Sequence, residues 1–446
     1  MSEAEVVQKE IKAGFGVVEK DRKLARIVII DDVVPHPNAE RLELAVIGGW
    51  QLCVKLGEYK KGDRAVYCEI DSLLPLSNVE LFGFLEERRS DNRRVDGVNF
   101  HRLKTIKLRK EISQGLLVPV PAKFKDSPVD TNLTLELGIL KYEPRAPMEP
   151  SNKEARGSDW YSRLIRKIIG NLDGSLIPWP AQLTKSDQDR VQNKTVAFTL
   201  AKEAGEVFEV TYKLDGSSMT VFCINDKGVR TGVCSRNYEL GLGEGNWSFS
   251  EQLRHWVGAF LIRNRKVVSL KKVPLEEGGF KRKLHWTGIH IPQWLKGSIA
   301  TENNFTRYVK EHEVTKALRE YQARTGEFIT VQGELIGPDI QSNFEGVDKH
   351  EYHVFSVYRN GNEEVLPEEA EKIVKELGLT YVPIFDRAFV IKPEQGVKEI
   401  LELAEGQRAF NPKKGTYREG LVFKSKSRLM SFKAISNSYL IKKADE

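Results

Sequence analysis

Lys213 and Asp215 stand two residues apart in the run Phe-Glu-Val-Thr-Tyr-Lys-Leu-Asp-Gly-Ser-Ser, residues 208–218. An amine beside a carboxylate is equipment for nucleophilic chemistry. Side chains alternate along an extended strand, so Phe208, Val210, Tyr212 and Leu214 share one face. Glu209, Thr211, Lys213 and Asp215 share the other, and Gly216 lets the backbone turn tightly beside them. An amine at its reference pKa of about 10.4 is protonated at neutral pH and attacks nothing. A metal ion or a second cation close by would lower that value.

Further blocks follow in order: Cys234-Ser-Arg-Asn237, Val331-Gln-Gly-Glu-Leu-Ile-Gly-Pro-Asp-Ile-Gln-Ser-Asn343, Tyr352-His-Val-Phe-Ser-Val-Tyr358, Tyr417-Arg-Glu-Gly-Leu-Val-Phe-Lys424 and Ser431-Phe-Lys-Ala-Ile-Ser436. Asp215, Glu334 and Glu419, on separate strands, are the expected holders of a hydrated Mg²⁺ or Mn²⁺. Lys424 and Lys433 are suited to neutralising phosphate oxygens as charge develops. Phe355 offers a ring for a purine, and Arg236 a forked donor for ribose hydroxyls or phosphate. Each block alone has an ordinary explanation. Gln-Gly-Glu is usually a strand with a turn, Phe355 between Val354 and Val357 suits a core, Arg236 suits a surface ion pair, and Lys213 suits a solvated strand. Five blocks in one order argue instead for nucleotide transfer.

The chain of 446 residues, 40% hydrophobic and 30% charged, has room for two or three domains. Residues 1–23 read as a polar leader, unlike a secretory or transit signal. From residue 24 to 141, strand-like runs such as Ala25–Ile30, Leu42–Ile47, Gln51–Leu56, Arg64–Ile70 and Arg102–Leu108 are separated by turn signals. Their size and spacing predict a small all-β barrel of the OB type. Residues 142–179, opening with three prolines among polar residues, read as a linker. Residues 180–446 should alternate strands with a few helices, clearest at Pro367–Leu377, where proline and acids start a helix with one apolar side. The predicted fold class is α+β: antiparallel sheets with helices, preceded by the all-β domain. No apolar stretch approaches membrane-spanning length, and four scattered cysteines predict free thiols in a reducing compartment, cytoplasmic or nuclear. The formal charge of +6 suits a polyanion without showing one.

The blocks resemble motifs I, Ia, III, IIIa, IV and V of the covalent nucleotidyltransferases, the superfamily of DNA ligases, RNA ligases and mRNA capping enzymes. Lys185-Ser-Asp-Gln-Asp-Arg-Val-Gln-Asn193 resembles a segment of RNA ligases. Arg41–Trp50, Gly62–Ser72 and Leu103–Leu116 resemble the OB domain of the Deinococcus/Naegleria-type ATP-dependent RNA ligases. The resemblance implies an enzyme that joins RNA 3′-OH and 5′-phosphate ends, in nicked duplex or paired form, through lysyl-AMP and RNA-adenylate. It implies ATP as AMP donor, a divalent metal, Lys213 as nucleophile, and Asp215, Glu334 and Glu419 around the metal. Lys185, Arg190, Gly216, Arg236, Phe355, Lys424 and Lys433 would contact AMP. A monomer is expected.

Two departures stand out. The last motif often reads Lys-x-Lys, and here the first of those positions is Ser431. The stretch between Arg236 and Glu334 is long, and residues 254–296 hold ten lysines and arginines with Trp256, Trp286 and Trp294 interleaved. That composition suits either nucleic-acid binding or a solvated insertion. DNA ligases and capping guanylyltransferases normally carry an OB domain after the last motif, where only thirteen residues follow Lys433. A non-catalytic nucleic-acid-binding protein would not need Lys213 and all three carboxylates.

Overall fold

The structure, a computed structural model, describes residues 23–142, 177–240, 268–274, 280–286 and 303–443, apart from residues 89, 90, 96, 187, 414, 415 and 428. All of the leader except Lys23, most of the 142–179 linker and most of the basic 254–296 stretch lie outside the described residues. Of that stretch only the backbone of an antiparallel hairpin, Val268–Pro274 with Phe280–Trp286, is described.

The N-terminal part is all-β apart from short helical turns. Antiparallel strands form small sheets, Ala25–Ile29 with Arg64–Cys68 and Leu116–Val118, and Asp32–Pro35 with Leu42–Ile47 and Trp50–Lys55. Alternating apolar residues on these strands meet in a core holding Trp50, Leu52 and Tyr67, all fully buried. The single strand expected over Arg102–Leu108 is two, Val98–Arg102 and Ile106–Leu108. Leu103 leaves the ladder to exchange backbone hydrogen bonds with Ser72 and Asp71, which ends the first strand.

The C-terminal part is two mainly antiparallel sheets, the second with one parallel pair at Thr380–Tyr381, and helices outside them. One sheet has the order Ile384–Val390, Val207–Lys213, Gly420–Ser425, Ser431–Ile435. The other runs through Val229–Cys234, Ser217–Asn225, Ile329–Ile336 and Glu351–Arg359. Each sheet has its own apolar core. Phe208, Val210, Leu421, Phe423, Phe432 and Ala434 pack beneath the first, against helices Thr195–Glu203 and Val397–Leu403. Met219, Val221, Val331, Leu335 and Val354 pack beneath the second, against Asn304–Glu311, Val314–Thr325 and Pro367–Glu376. The last helix starts on proline, carries Glu368 and Glu369 in its first turn and buries Ala370, Ile373 and Val374, as its pattern predicts. The four cysteines are free thiols. Among the described residues no helix is long and apolar enough to cross a membrane.

Candidate active site

Strand register places the lysine. On the first sheet Phe208, Val210 and their neighbours face the core, so the alternate residues face away from it. Glu209 pairs with Lys424, Thr211 with Val422 and Lys213 with Gly420, and Val422 pairs in turn with Lys433. Directly opposed residues share a face. Lys213, Lys424 and Lys433 therefore stand on the face turned from this sheet's core. Lys424 shows what that face looks toward: its Nζ donates to Phe355 O at 2.6 Å and to Ser356 Oγ at 2.5 Å, on the second sheet. The lysines line the cleft between the two sheets.

Glu419 immediately precedes Gly420, and so sits beside Lys213. Its Oε1 lies 2.8 Å from Lys213 Nζ. A Cβ on Gly420 would stand 2.1 Å from Ala434 O, so only glycine lets the neighbouring strand close there. Glu334 comes from the second sheet, where it pairs with Ser218 just past the turn at Gly216. Gly216 is required by close approach: a Cβ there would be 2.4 Å from Leu335 O and 3.1 Å from Glu334 Cγ. The Gly216 N–H donates to the Glu334 carboxylate.

Asp215 departs from the expected alternation. The strand ends at Lys213, and Leu214 is buried in the core of the second sheet, against which Tyr212 also packs. Asp215 still reaches the lysine's surroundings, but from the turn. Its Oδ2 accepts from Tyr439 Oη at 2.9 Å, and Lys443 Nζ lies 3.3 Å from both carboxylate oxygens. Both partners come from the C-terminal helix Asn437–Lys443.

The electrostatics follow from this crowding. Burial alone would depress the Lys213 pKa, yet the net shift is upward, because Glu419, Glu334 and Asp215 surround the ammonium. Burial pushes the Glu334 carboxyl up to about 8, opposed by the Lys213 charge. A fourth carboxylate, Glu345, is only 2% exposed and is pushed up to about 7, again chiefly by burial. Its Oε1 accepts from the Asp215 N–H at 3.3 Å. Its Oε2, like Glu419 Oε2, is buried with no hydrogen-bond partner among the described residues. The loop carrying Glu345 passes through left-handed backbone at Asp339, Gln341 and Asn343, conformations that cost energy and collect at functional sites.

Buried carboxylate oxygens without donors are suited to a hydrated divalent cation. The expected trio does not form a closed ligand set, however: among the described residues no three His, Cys, Asp or Glu side chains converge well enough to hold a metal by themselves. The Lys213 ammonium pairs with Glu419, and Tyr439 and Lys443 engage Asp215.

The other expected contacts are spread along the cleft. Lys433 lies beside Arg190 through a parallel bridge, and its N–H donates to Asp189 O at 2.8 Å. Arg190 lies over the Trp50 ring at 5.5 Å. Lys185 Nζ is 5.1 Å from the centre of the Trp179 ring. Its segment is tied to the second sheet by Gln332, which accepts from Ser186 N at 3.1 Å. Phe355 is half-buried against the second core, and Arg236 is exposed just after the Val229–Cys234 strand. Sequence reasoning missed Glu345, Tyr439 and Lys443. Glu345 lies two residues beyond the block ending at Asn343, and nothing local marks the C-terminal pair.

Comparison with known proteins places this geometry. An OB-fold domain family matches residues 24–120, and the RNA ligase family matches residues 206–442. Among solved structures, a lysine-to-methionine variant of Naegleria gruberi RNA ligase with AMP and Mn is 28% identical with a TM-score of 0.63, covering 95% of this chain and 100% of that one. The same enzyme's lysine-to-alanine variant with ATP and Mn matches equally, at 28% identity and a TM-score of 0.63 over 95% and 100% of the two chains. Its complex with PPi gives 28% and 0.62, over 96% and 100%. A search of curated proteins finds no match.

Proposed function

The chain belongs to the RNA ligase family and is an ATP-dependent RNA ligase, and we propose that Lys213 is its nucleophile within the carboxylate ring described above. The deprotonated Nζ attacks the α-phosphorus of ATP, a P–N bond forms, and the bond to pyrophosphate breaks. An RNA 5′-phosphate oxygen then displaces the lysine, which regains its proton, giving RNA-adenylate. Finally the 3′-OH attacks the 5′-phosphorus and AMP leaves. The observation that carries the assignment is the pairing of Lys213 Nζ with Glu419 Oε1 at 2.8 Å, inside a cleft whose facing lysines suit phosphate.

Lys213 in this ring is held protonated, so something must offset the carboxylates before it can attack. Asp215, Glu334 and Glu419, with Glu345 behind them, would hold a divalent cation, Mg²⁺ or Mn²⁺. Such an ion offsets their charge, favours the neutral amine and neutralises phosphate oxygens. Lys433 and Arg190, side by side, are assigned to phosphate. Phe355 and Arg236 are assigned to base and ribose, and Lys185 and Gly216 to the nucleotide's near surroundings. Lys424 is buried on Phe355 O and Ser356 Oγ, so it orients the purine platform as well as adding charge.

We further propose that residues 24–141 and 180–446 are the OB and catalytic units of a monomer acting on nicked or paired RNA ends. Four free thiols suit the cytoplasm or nucleus. Incubation with α-labelled ATP and Mg²⁺, followed by denaturation, should leave AMP on the wild-type protein and none on Lys213→Ala, with unchanged circular dichroism. A folded Lys213→Ala protein that still labels would move the nucleophile elsewhere.

A further inference from the structure

The OB domain carries a hairpin, Ile106–Leu108 with Glu111–Ser113, closed by two residues only, Arg109 and Lys110. Both have positive φ, 47° and 76°. A two-residue turn of this hand needs left-handed backbone at both positions, which is why Asn-Gly usually fills it. Here two consecutive long cations fill it instead, in a conformation unfavourable for any side chain with a Cβ. Both are exposed, and among the described residues neither has an ion-pair or hydrogen-bond partner.

The hairpin itself is firmly seated. Gln51 Nε2 donates to Glu111 Oε2 at 3.3 Å and to Ile112 O at 3.2 Å. The Cys53 N–H donates to Ser113 Oγ at 3.1 Å, and the Gln114 N–H to Gln51 O at 2.8 Å. His36 Nε2 lies 3.2 Å from Leu108 O. The strand Glu111–Ser113 packs on the C-terminal helix Asn437–Lys443. That helix reaches Asp215 through Tyr439 and Lys443, and Lys442 and Lys443 are exposed on it. A rigid cationic tip thus sits on the element next to the adenylylation site. Unfavourable backbone kept where polar turn residues would serve better points to function.

We propose that Arg109 and Lys110 grip the phosphodiester backbone of the RNA beside the end being joined, and that the unfavourable turn persists because both cations are needed there. The proposal rests on the RNA ligase reading and names how that site takes its second substrate. The test uses the full chain with Arg109→Asn and Lys110→Gly together, which supplies the turn's preferred residues and removes two charges.

The thermal midpoint should hold or rise, and ATP labelling of Lys213 without RNA should be unchanged. Affinity for nicked duplex RNA should fall, and the slope of log K against log salt should flatten by up to about 1.8, or roughly 0.9 per phosphate contact. The paired variant Arg109→Gln and Lys110→Gln should flatten it equally, whereas Arg109→Lys should keep the parental slope. A folded variant with parental affinity and slope overturns the proposal, as does one that loses ATP labelling, since the tip would then serve the nucleotide. Failure of the parent protein to label with ATP would strike the ligase mechanism instead.

Discussion

Glu345, behind the three carboxylates that surround Lys213, is costly to ionise, chiefly because it is buried. Its pKa rises from 4.5 to about 7 on folding. A raised carboxyl favours the folded state only while protonated. Stability from this group is therefore complete below about pH 4.5 and lost as pH rises through about 7. The loss amounts to on the order of 3 kcal/mol. Glu345→Gln keeps the oxygen that accepts from Asp215 N–H and removes the charge. Without added divalent ion it should stabilise the protein at pH 8 by that order and hardly at all at pH 4, checked by chemical denaturation at both. It should also raise the metal concentration needed for half-maximal ATP labelling by roughly tenfold, the scale of groups that support metal ligands. Glu334→Gln and Glu419→Gln, nearer the amine, should reduce labelling more at saturating metal. Equal pH profiles for wild type and Glu345→Gln would show that Glu345 is not the strained group.

Among elements, the C-terminal helix decides where Asp215 points. Glu405 caps its start, accepting from Asn437 N at 2.6 Å, Ser438 N at 3.2 Å and Ser436 Oγ at 2.9 Å. Within that first turn Tyr439, 4% exposed, donates to Asp215. Tyr439→Phe removes that bond while keeping the ring against Phe344, at a cost of roughly 1–2 kcal/mol. ATP labelling should slow, and Glu405→Gln should slow it in the same direction by loosening the helix. Normal labelling rates in both variants would make the helix a bystander. A second element pair is held from outside the site. Glu371 on helix Pro367–Glu376 meets Arg387 and Lys375, which hold its carboxyl down at about 2. That contribution is present above about pH 4.5 and fades toward pH 2. Glu371→Gln should then cost no more than about 1 kcal/mol at pH 7, as such pairs do, and nothing at pH 2.

At the scale of the whole molecule the OB domain is docked, not appended. Asn193 Nδ2 donates to Glu69 Oε1 at 2.7 Å, and Trp50 receives the Arg190 guanidinium. Both catalytic-side residues lie in the short stretch that lays Arg190 along Lys433. Asn193→Asp would oppose two carboxylates across this interface. RNA sealing should fall by at least about tenfold, since like charges brought together cost more than roughly 1.4 kcal/mol, while ATP labelling of Lys213 changes much less. Loss of both activities in equal measure would mean that docking shapes the nucleotide pocket itself.

What the linear chain determined is what depends on local pattern. Alternation set the core face and the cleft face of the Lys213 strand, because side-chain direction in a strand has period two wherever one face is buried. The order of Lys213, Glu334, Glu419 and Lys433 named the chemistry, and the start and apolar side of helix Pro367–Glu376 were legible for the same local reasons. Alternation could not say where a strand stops. The strand ends at Lys213, Leu214 is buried in the second core, and Asp215 answers to a helix more than two hundred residues away in sequence. Gly216 is glycine because Leu335 O approaches it, not because the turn is tight. Glu345, Tyr439 and Lys443 enter the site from segments with no motif, and Arg190 meets Trp50 only when two domains meet. Close packing of elements distant in the chain decided these, since the burial and charge at a site are sums over neighbours that no local window contains.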